Sequence, residues 1–191
     1  MAVHKAGGLV ARVQFSAARK EVHNALDRYV KHAVCLNGMA YAGRYAAAIG
    51  ASYLAGLVGS LFIGADVGVW YAQLAKPTLT PPAWIFFPAW MILYGLMGVA
   101  LGIIWSKTAL WHPWVGCFFV SLAFNAAWTM FFFGFHAILL ALTDVVSLAI
   151  ILIALVLGAG QMDRRATYLL LPYLAWVLFA VYLNSAIWYL N

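Results

Sequence analysis

Three stretches of this chain place aromatic rings and amides one helical turn apart. Trp90 and Tyr94 form one such pair; Asn125, Trp128, Thr129 and Phe132 would share a second helix face, and Pro172, Trp176, Ala180, Leu183 and Asn184 a third. These faces can converge on one cavity walled by flat rings, with a few amide, hydroxyl and indole N–H groups among them. Stacking and burial would supply affinity and the polar groups orientation, which is the chemistry of binding a large planar hydrophobic molecule. Bond-making chemistry finds no comparable pattern. The sequence shows no Ser/His/Asp spacing, no metal-binding Cys or His cluster and no phosphate-binding glycine loop, and Cys35 and Cys117 read as free thiols.

The elements that would carry these faces follow from composition. The 191 residues are 66% hydrophobic and 8% charged, with a mean hydropathy of +0.93, far from the soluble mix of about a quarter charged residues. The expected class is therefore an all-α integral membrane protein. Five apolar runs, near 46–67, 82–105, 113–133, 137–158 and 166–189, are each long enough to cross a bilayer, and the expectation is a bundle of five transmembrane helices. A barrel would show short alternating segments instead of continuous runs such as 138–157. The short linkers 106–112, 134–136 and 158–165 imply antiparallel packing of sequence neighbours, and only the first connection, 68–81, is long.

Charge sorts the two ends. Of eleven Lys and Arg residues, seven precede span one, and Lys107, Arg164 and Arg165 fall in connections on that same side, leaving Lys76 opposite. This places the N-terminus in the cytoplasm of a bacterium by the positive-inside rule, which is a weaker guide for a mitochondrial outer membrane. His112 and His136 lie on opposite sides and cannot share a metal. At most one of them could make an axial contact to a haem iron. Trp105, Trp111, Trp114 and Trp188, near span ends, are expected to anchor in the interface, whereas Trp90, Trp128 and Trp176 fall deeper.

Other features have competing readings. Ala48, Ser52, Gly56, Ser60, Gly64 and Gly68 recur every fourth residue, beside Ala47, Ala51, Ala55 and Gly59, so another helix can approach closely; packing within the bundle is preferred to a homodimer seam. Residues 1–45 form a basic extension. Val22, Leu26, Tyr29, Val30 and Ala33 suit an interfacial amphipathic helix over 16–37, a targeting segment has the same look, and translation could begin at Met39. Asp144, two turns into span four, is a functional candidate by its depth, with a protonated or hydrogen-bonded acid tying helices together slightly preferred. Asp66 is expected at the interface.

Residues 70–94, WYAQLAKPTLTPPAWIFFPAWMILY, combine a Trp-Tyr pair, a Lys-Pro and a double proline with further rings. Trp84 and Pro88 sit at the entrance of span two, where Pro88 removes a backbone hydrogen bond and can bend the helix. Together with LAFNAAWTMFFFG at 122–134 and LPYLAWVLFAVYLN at 171–184, this stretch resembles the TspO/MBR family of tryptophan-rich sensory and translocator proteins, over about residues 46–191. The resemblance implies a pocket including Trp90, Asn125, Trp128, Trp176, Ala180 and Leu183, with Tyr94 one turn from Trp90. It implies a first loop closing as a lid, its Trp70, Tyr71 and Lys76 stiffened by Pro77, Pro81 and Pro82. The implied partners are membrane lipids and a tetrapyrrole such as protoporphyrin IX or haem, or a sterol, with no required cofactor and no nucleic acid. The implied setting is a mitochondrial outer membrane or a bacterial envelope.

Two departures rank the ligands. Leu79 stands where many family members carry an aromatic lid residue. After Asn184 the chain reads SAIWYLN, without the Tyr and basic residue of the family's proposed cholesterol motif, so the tetrapyrrole ranks above the sterol. A reversed motif at Arg165, Tyr168 and Leu170 is easily matched by chance. Lys76 would either pair with a porphyrin propionate or stay solvated. Light-dependent porphyrin breakdown through Trp90 or Trp176 is the enzymatic alternative, and lipid passage without a dedicated pocket is the third reading.

Overall fold

The computed structural model describes residues 38, 41–64, 67–109 and 111–191. The expected helix over 16–37, Cys35 and Asp66 lie outside the described residues. Helix α1 covers 41–60 and α2 covers Val67–Gln73; a 3-10 turn at Ala83–Ile85 leads into α3, Phe86–Lys107. Helix α4, Pro113–Thr129, continues as a π turn at Met130–Gly134, and α5, Ile138–Met162, and α6, Arg164–Leu190, complete the chain. Four helical segments, Ala83–Lys107, Pro113–Gly134, Ile138–Met162 and Arg164–Leu190, are long and apolar enough to cross a bilayer. This is a multi-pass membrane protein.

Those four agree with the expected spans to within a few residues. The first does not: α1 begins and ends earlier than 46–67. The backbone N–H groups of Leu61, Phe62 and Ile63 bond carbonyls three residues back, a tightened terminal turn that leaves Gly64 and Gly68 of the small-residue stripe beyond the helix. Pro88 also departs from expectation. It stands in the first turn of α3, where a backbone N–H has no partner within the helix, so the helix starts there without needing to bend.

Local chemistry sets the other starts. Pro113 opens α4, with His112 Nδ1 accepting from the Trp114 N–H at 3.2 Å, and Asp163 Oδ1 accepts from the Arg165 N–H at 2.8 Å to open α6. Helix α5 packs on α4 and α6, and α6 packs on α3. Despite their short connection, α3 and α4 touch only sparsely, against the expectation for sequence neighbours. Helix α1 lies against both of them. A Cβ on Gly98 of α3 would come within 2.5 Å of the Ile49 Cα, one on Gly102 equally close to the Tyr45 ring, and one on Gly59 within 3.2 Å of Thr129 Oγ1. Ala48 and Ser52 are fully buried. Ala48, Ser52 and Gly59 of the small-residue stripes thus serve packing within the chain, while Ala47 and Ser60 are exposed.

The end of the bundle that carries the basic residues is solid. Met97, Leu101, Ile104, Phe118, Leu152, Leu155 and Leu170 fill it without exposure. Arg44 Nη1 donates to the Trp105 carbonyl at 2.8 Å, and Lys107 pairs with Asp163 at 2.5 Å across two connections. Trp114 belongs to this core and not to the interface. It is buried, donates its indole N–H to the Leu155 carbonyl at 2.9 Å and stacks on Phe118, with Gly158 clearing room for the ring. Trp105 is half-buried, edge-on to Phe119. Trp111, 89% exposed, and Trp188 lie at the surface as interfacial anchors would. Asp144 is buried, and the hydrogen bond expected to tie it to a neighbour is absent at its Oδ2 among the described residues.

Candidate ligand cavity

The opposite half of the bundle is hollow. A cavity of about 910 Å³ lies among α1, α2, α3, α4 and α6, inside the 300–1,000 Å³ range typical of small-molecule sites. Helix α3 contributes Phe86, Phe87, Trp90, Met91 and Tyr94; α4 and its π turn contribute Trp128, Thr129, Phe132 and Phe133; α6 contributes Ala180, Leu183, Asn184 and Ile187. No described residue of this lining carries a charge. A smaller void of about 30 Å³, room for roughly one water, adjoins it. Asn125 and Trp176 line that void, and Trp90, Trp128, Ala180 and Leu183 line both.

The rings hold one another in place. Trp90 stacks on Tyr94 with centroids 5.3 Å apart and meets Tyr173 and Trp176 edge-on at 6.2 and 6.4 Å. Trp176 is edge-on to Phe86, and Trp128 lies nearly parallel to Phe132 at 5.2 Å. The π turn, closed by the Phe135 N–H on the Met130 carbonyl at 2.9 Å, presents Phe132 and Phe133 together. His136 then adopts a left-handed φ of 53° and turns the chain into α5.

The polar groups expected to orient a ligand are used inside the wall. The Tyr94 hydroxyl donates to Asn125 Oδ1 at 2.6 Å, and Asn125 Nδ2 donates to the Tyr173 hydroxyl at 3.0 Å. The Trp128 indole N–H donates to Asn184 Oδ1 at 3.1 Å, while Asn184 Nδ2 donates to the Ile138 carbonyl at 3.0 Å. Buried polar groups need such partners, and these bonds tie α3, α4, α5 and α6 at the cavity's floor.

The first loop divides. Tyr71 lines the cavity with Val67 and Gly68, its ring edge-on to Phe132 and Phe133, and burial raises its phenol above the ordinary value. Trp70 stacks on His136 at 4.0 Å and meets Phe132 edge-on at 5.4 Å, outside the lining. Lys76 donates to the carbonyls of Tyr71, Ala72 and Leu74 at 2.6, 3.3 and 2.9 Å and sits 4.8 Å from the Tyr71 ring centre. Its ammonium closes the last turn of α2. Pro77 and Pro82 accept turn bonds from Thr80 and Ile85, and neither they nor Pro81 reach the lining. Asn191 clasps the loop: its Oδ1 accepts from the Ala75 N–H at 3.0 Å and its Nδ2 donates to the Ala75 carbonyl at 3.1 Å.

The wall supplied by α1, namely Gly50, Tyr53, Leu54, Gly56, Leu57 and Ser60, is not anticipated from sequence. Attention to its small residues hides the larger ones between them. The signal was present in the spacing of Gly50, Leu54 and Leu57, which share one helix face.

Residues 48–190 match the TspO/MBR family. The chain is 41% identical over 138 residues to the tryptophan-rich protein TspO of Archaeoglobus fulgidus, covering 71% of this chain and 89% of that protein. It is 38% identical over 147 residues to the TspO protein of Chlorobaculum tepidum, covering 75% and 92%. Against the translocator protein of Homo sapiens it is 34% identical over 135 residues, covering 69% and 80%. With a family match over residues 48–190, well over half of its length, the chain belongs to the TspO/MBR family.

Proposed function

We propose that this protein is a membrane receptor or carrier that holds a planar hydrophobic ligand, a tetrapyrrole such as protoporphyrin IX or haem, in the cavity between α1, α3, α4 and α6. In this reading α1 is the fifth span. Its helix over 41–60 would extend roughly 30 Å at 1.5 Å per residue, the thickness of a bilayer's hydrocarbon core. The observation that carries the reading is the ring wall: Trp90 on Tyr94 and Trp128 on Phe132 give flat apolar surfaces fixed by their own packing, so binding orders little that is not already ordered. Trp128→Ala should weaken protoporphyrin IX binding about tenfold, and Trp128→Phe by less, because a ring is retained. Quenching of tryptophan fluorescence on titration measures both, and equal affinity in wild type and Trp128→Ala would sink the assignment.

A sterol is the second reading, favoured by the uncharged lining. Titration with protoporphyrin IX, haem and cholesterol in one series separates the two.

A further inference from the structure

We infer that the ligand reaches this cavity sideways from the bilayer, through a gap between α1 and α3, and not through the first loop. The inference rests on the ligand-binding reading above. Most of the inner wall is closed: Phe132 is 2% exposed and Asn184 1%. On the α1 and α3 side the lining residues are also surface residues, with Leu54 57%, Leu57 61% and Phe87 74% exposed. Cavity and outer surface therefore meet there.

That opening lies at membrane depth. Leu54 is ten residues beyond Arg44, which bonds the Trp105 carbonyl at the basic end, so it sits roughly 15 Å along α1, near the middle of a hydrocarbon core of about 30 Å. The two helices close tightly at the basic end, where Gly98 and Gly102 receive Ile49 and Tyr45, and again where Gly56 of α1 receives the Tyr94 ring, so the gap lies beyond that contact, among Leu54, Leu57 and Phe87. The Tyr53 hydroxyl, bonded to the Met91 carbonyl at 2.8 Å, forms the sill. Beyond it the facing side chains are apolar apart from Ser60, whose hydroxyl donates to the Leu57 carbonyl at 2.7 Å, so a ligand that dissolves in lipid crosses no charged group on its way in.

The loop side is fastened by different means. Asn191 pairs with both backbone groups of Ala75, Lys76 caps α2, and Trp70 is stacked on His136. Opening there would break several hydrogen bonds and a ring stack together, whereas the lateral gap needs only side-chain rotation.

Stopped-flow mixing of the full chain in lipid nanodiscs with protoporphyrin IX, and separately with a fluorescent sterol, tests the route. Leu57 lines the cavity and is exposed, so Leu57→Trp adds bulk at the mouth, and Leu54→Trp does so one turn away. Each should slow association and dissociation in parallel by about tenfold. Asn191→Ala, which frees the loop, should leave both rates unchanged. The wild-type rate should follow the ligand-to-lipid ratio and not the aqueous concentration. Unchanged rates in both mouth variants, or faster exchange in Asn191→Ala, would place the entrance at the loop and overturn the inference. Saturable binding of the sterol alone would reject the tetrapyrrole reading while the same variants still judge the route; binding of neither probe rejects both.

Discussion

Asn125 has the least replaceable side chain in the cavity floor, because it satisfies two buried phenols from different helices at once. Replacing it with Leu keeps the volume and removes both bonds, leaving the Tyr94 and Tyr173 hydroxyls without the partner they now share. An unsatisfied buried polar group costs about 1–3 kcal/mol, so Asn125→Leu should lower the unfolding midpoint in detergent clearly more than Tyr94→Phe, which deletes a single bond. Equal midpoints for the two variants would contradict this role. Residue type announced that Asn125 matters at this depth, but not whether it faces a ligand or another side chain. Lys76 carries the same lesson. A lone basic residue in a loop suggests an anionic partner, and its nearest acceptors are three carbonyls of its own segment.

Helix α1 depends on glycines contributed by its neighbour. In Gly98→Ala the new methyl would meet the Ile49 backbone, which cannot rotate away, so the α1–α3 contact must open at a cost of about 1–3 kcal/mol. Gly116→Ala faces open space and should be neutral or slightly stabilising by helix propensity. Thermal midpoints of the pair in one detergent check the contrast. At the basic end, the hydrogen bond from Lys107 first, then that from the Arg165 N–H, hold the Asp163 carboxyl below the usual carboxylate range. Its folded value is lowered, so the contribution is complete above the unfolded value of about 3.9 and disappears as pH falls through the lower folded value. The midpoint difference between wild type and Asp163→Asn should therefore be small, constant above about pH 5, and vanish under stronger acid. A difference growing as pH falls would show the sign to be wrong.

Across the whole molecule, one end is a packed core under the basic residues and the other a cavity under an aromatic loop. The arrangement fixes which connections share a side: Lys107 and Asp163 meet at one end, and Ala75 and Asn191 at the other. With Cys35 and Cys117 replaced, single cysteines at Thr78 and Thr108 should be labelled by an impermeant thiol reagent from opposite faces of a sealed vesicle. Labelling of both from the same face would overturn the sidedness derived from the charges.

The sequence by itself determined the class, four of the spans to within a few residues, the charge asymmetry and the aromatic positions Trp90 and Trp128. These follow from composition, run length and helical period, which are local quantities. Only the tertiary structure decided that α1 supplies a wall of the cavity, that Trp114 is core, that α3 leans on α6 more than on α4, and that Asn125 and Asn184 bind protein groups. Helical period says which residues share a face, but two apolar helices in lipid gain nothing from periodicity alone. Their neighbours are chosen by close packing and by pairing buried donors with acceptors, and both depend on residues far apart in the chain.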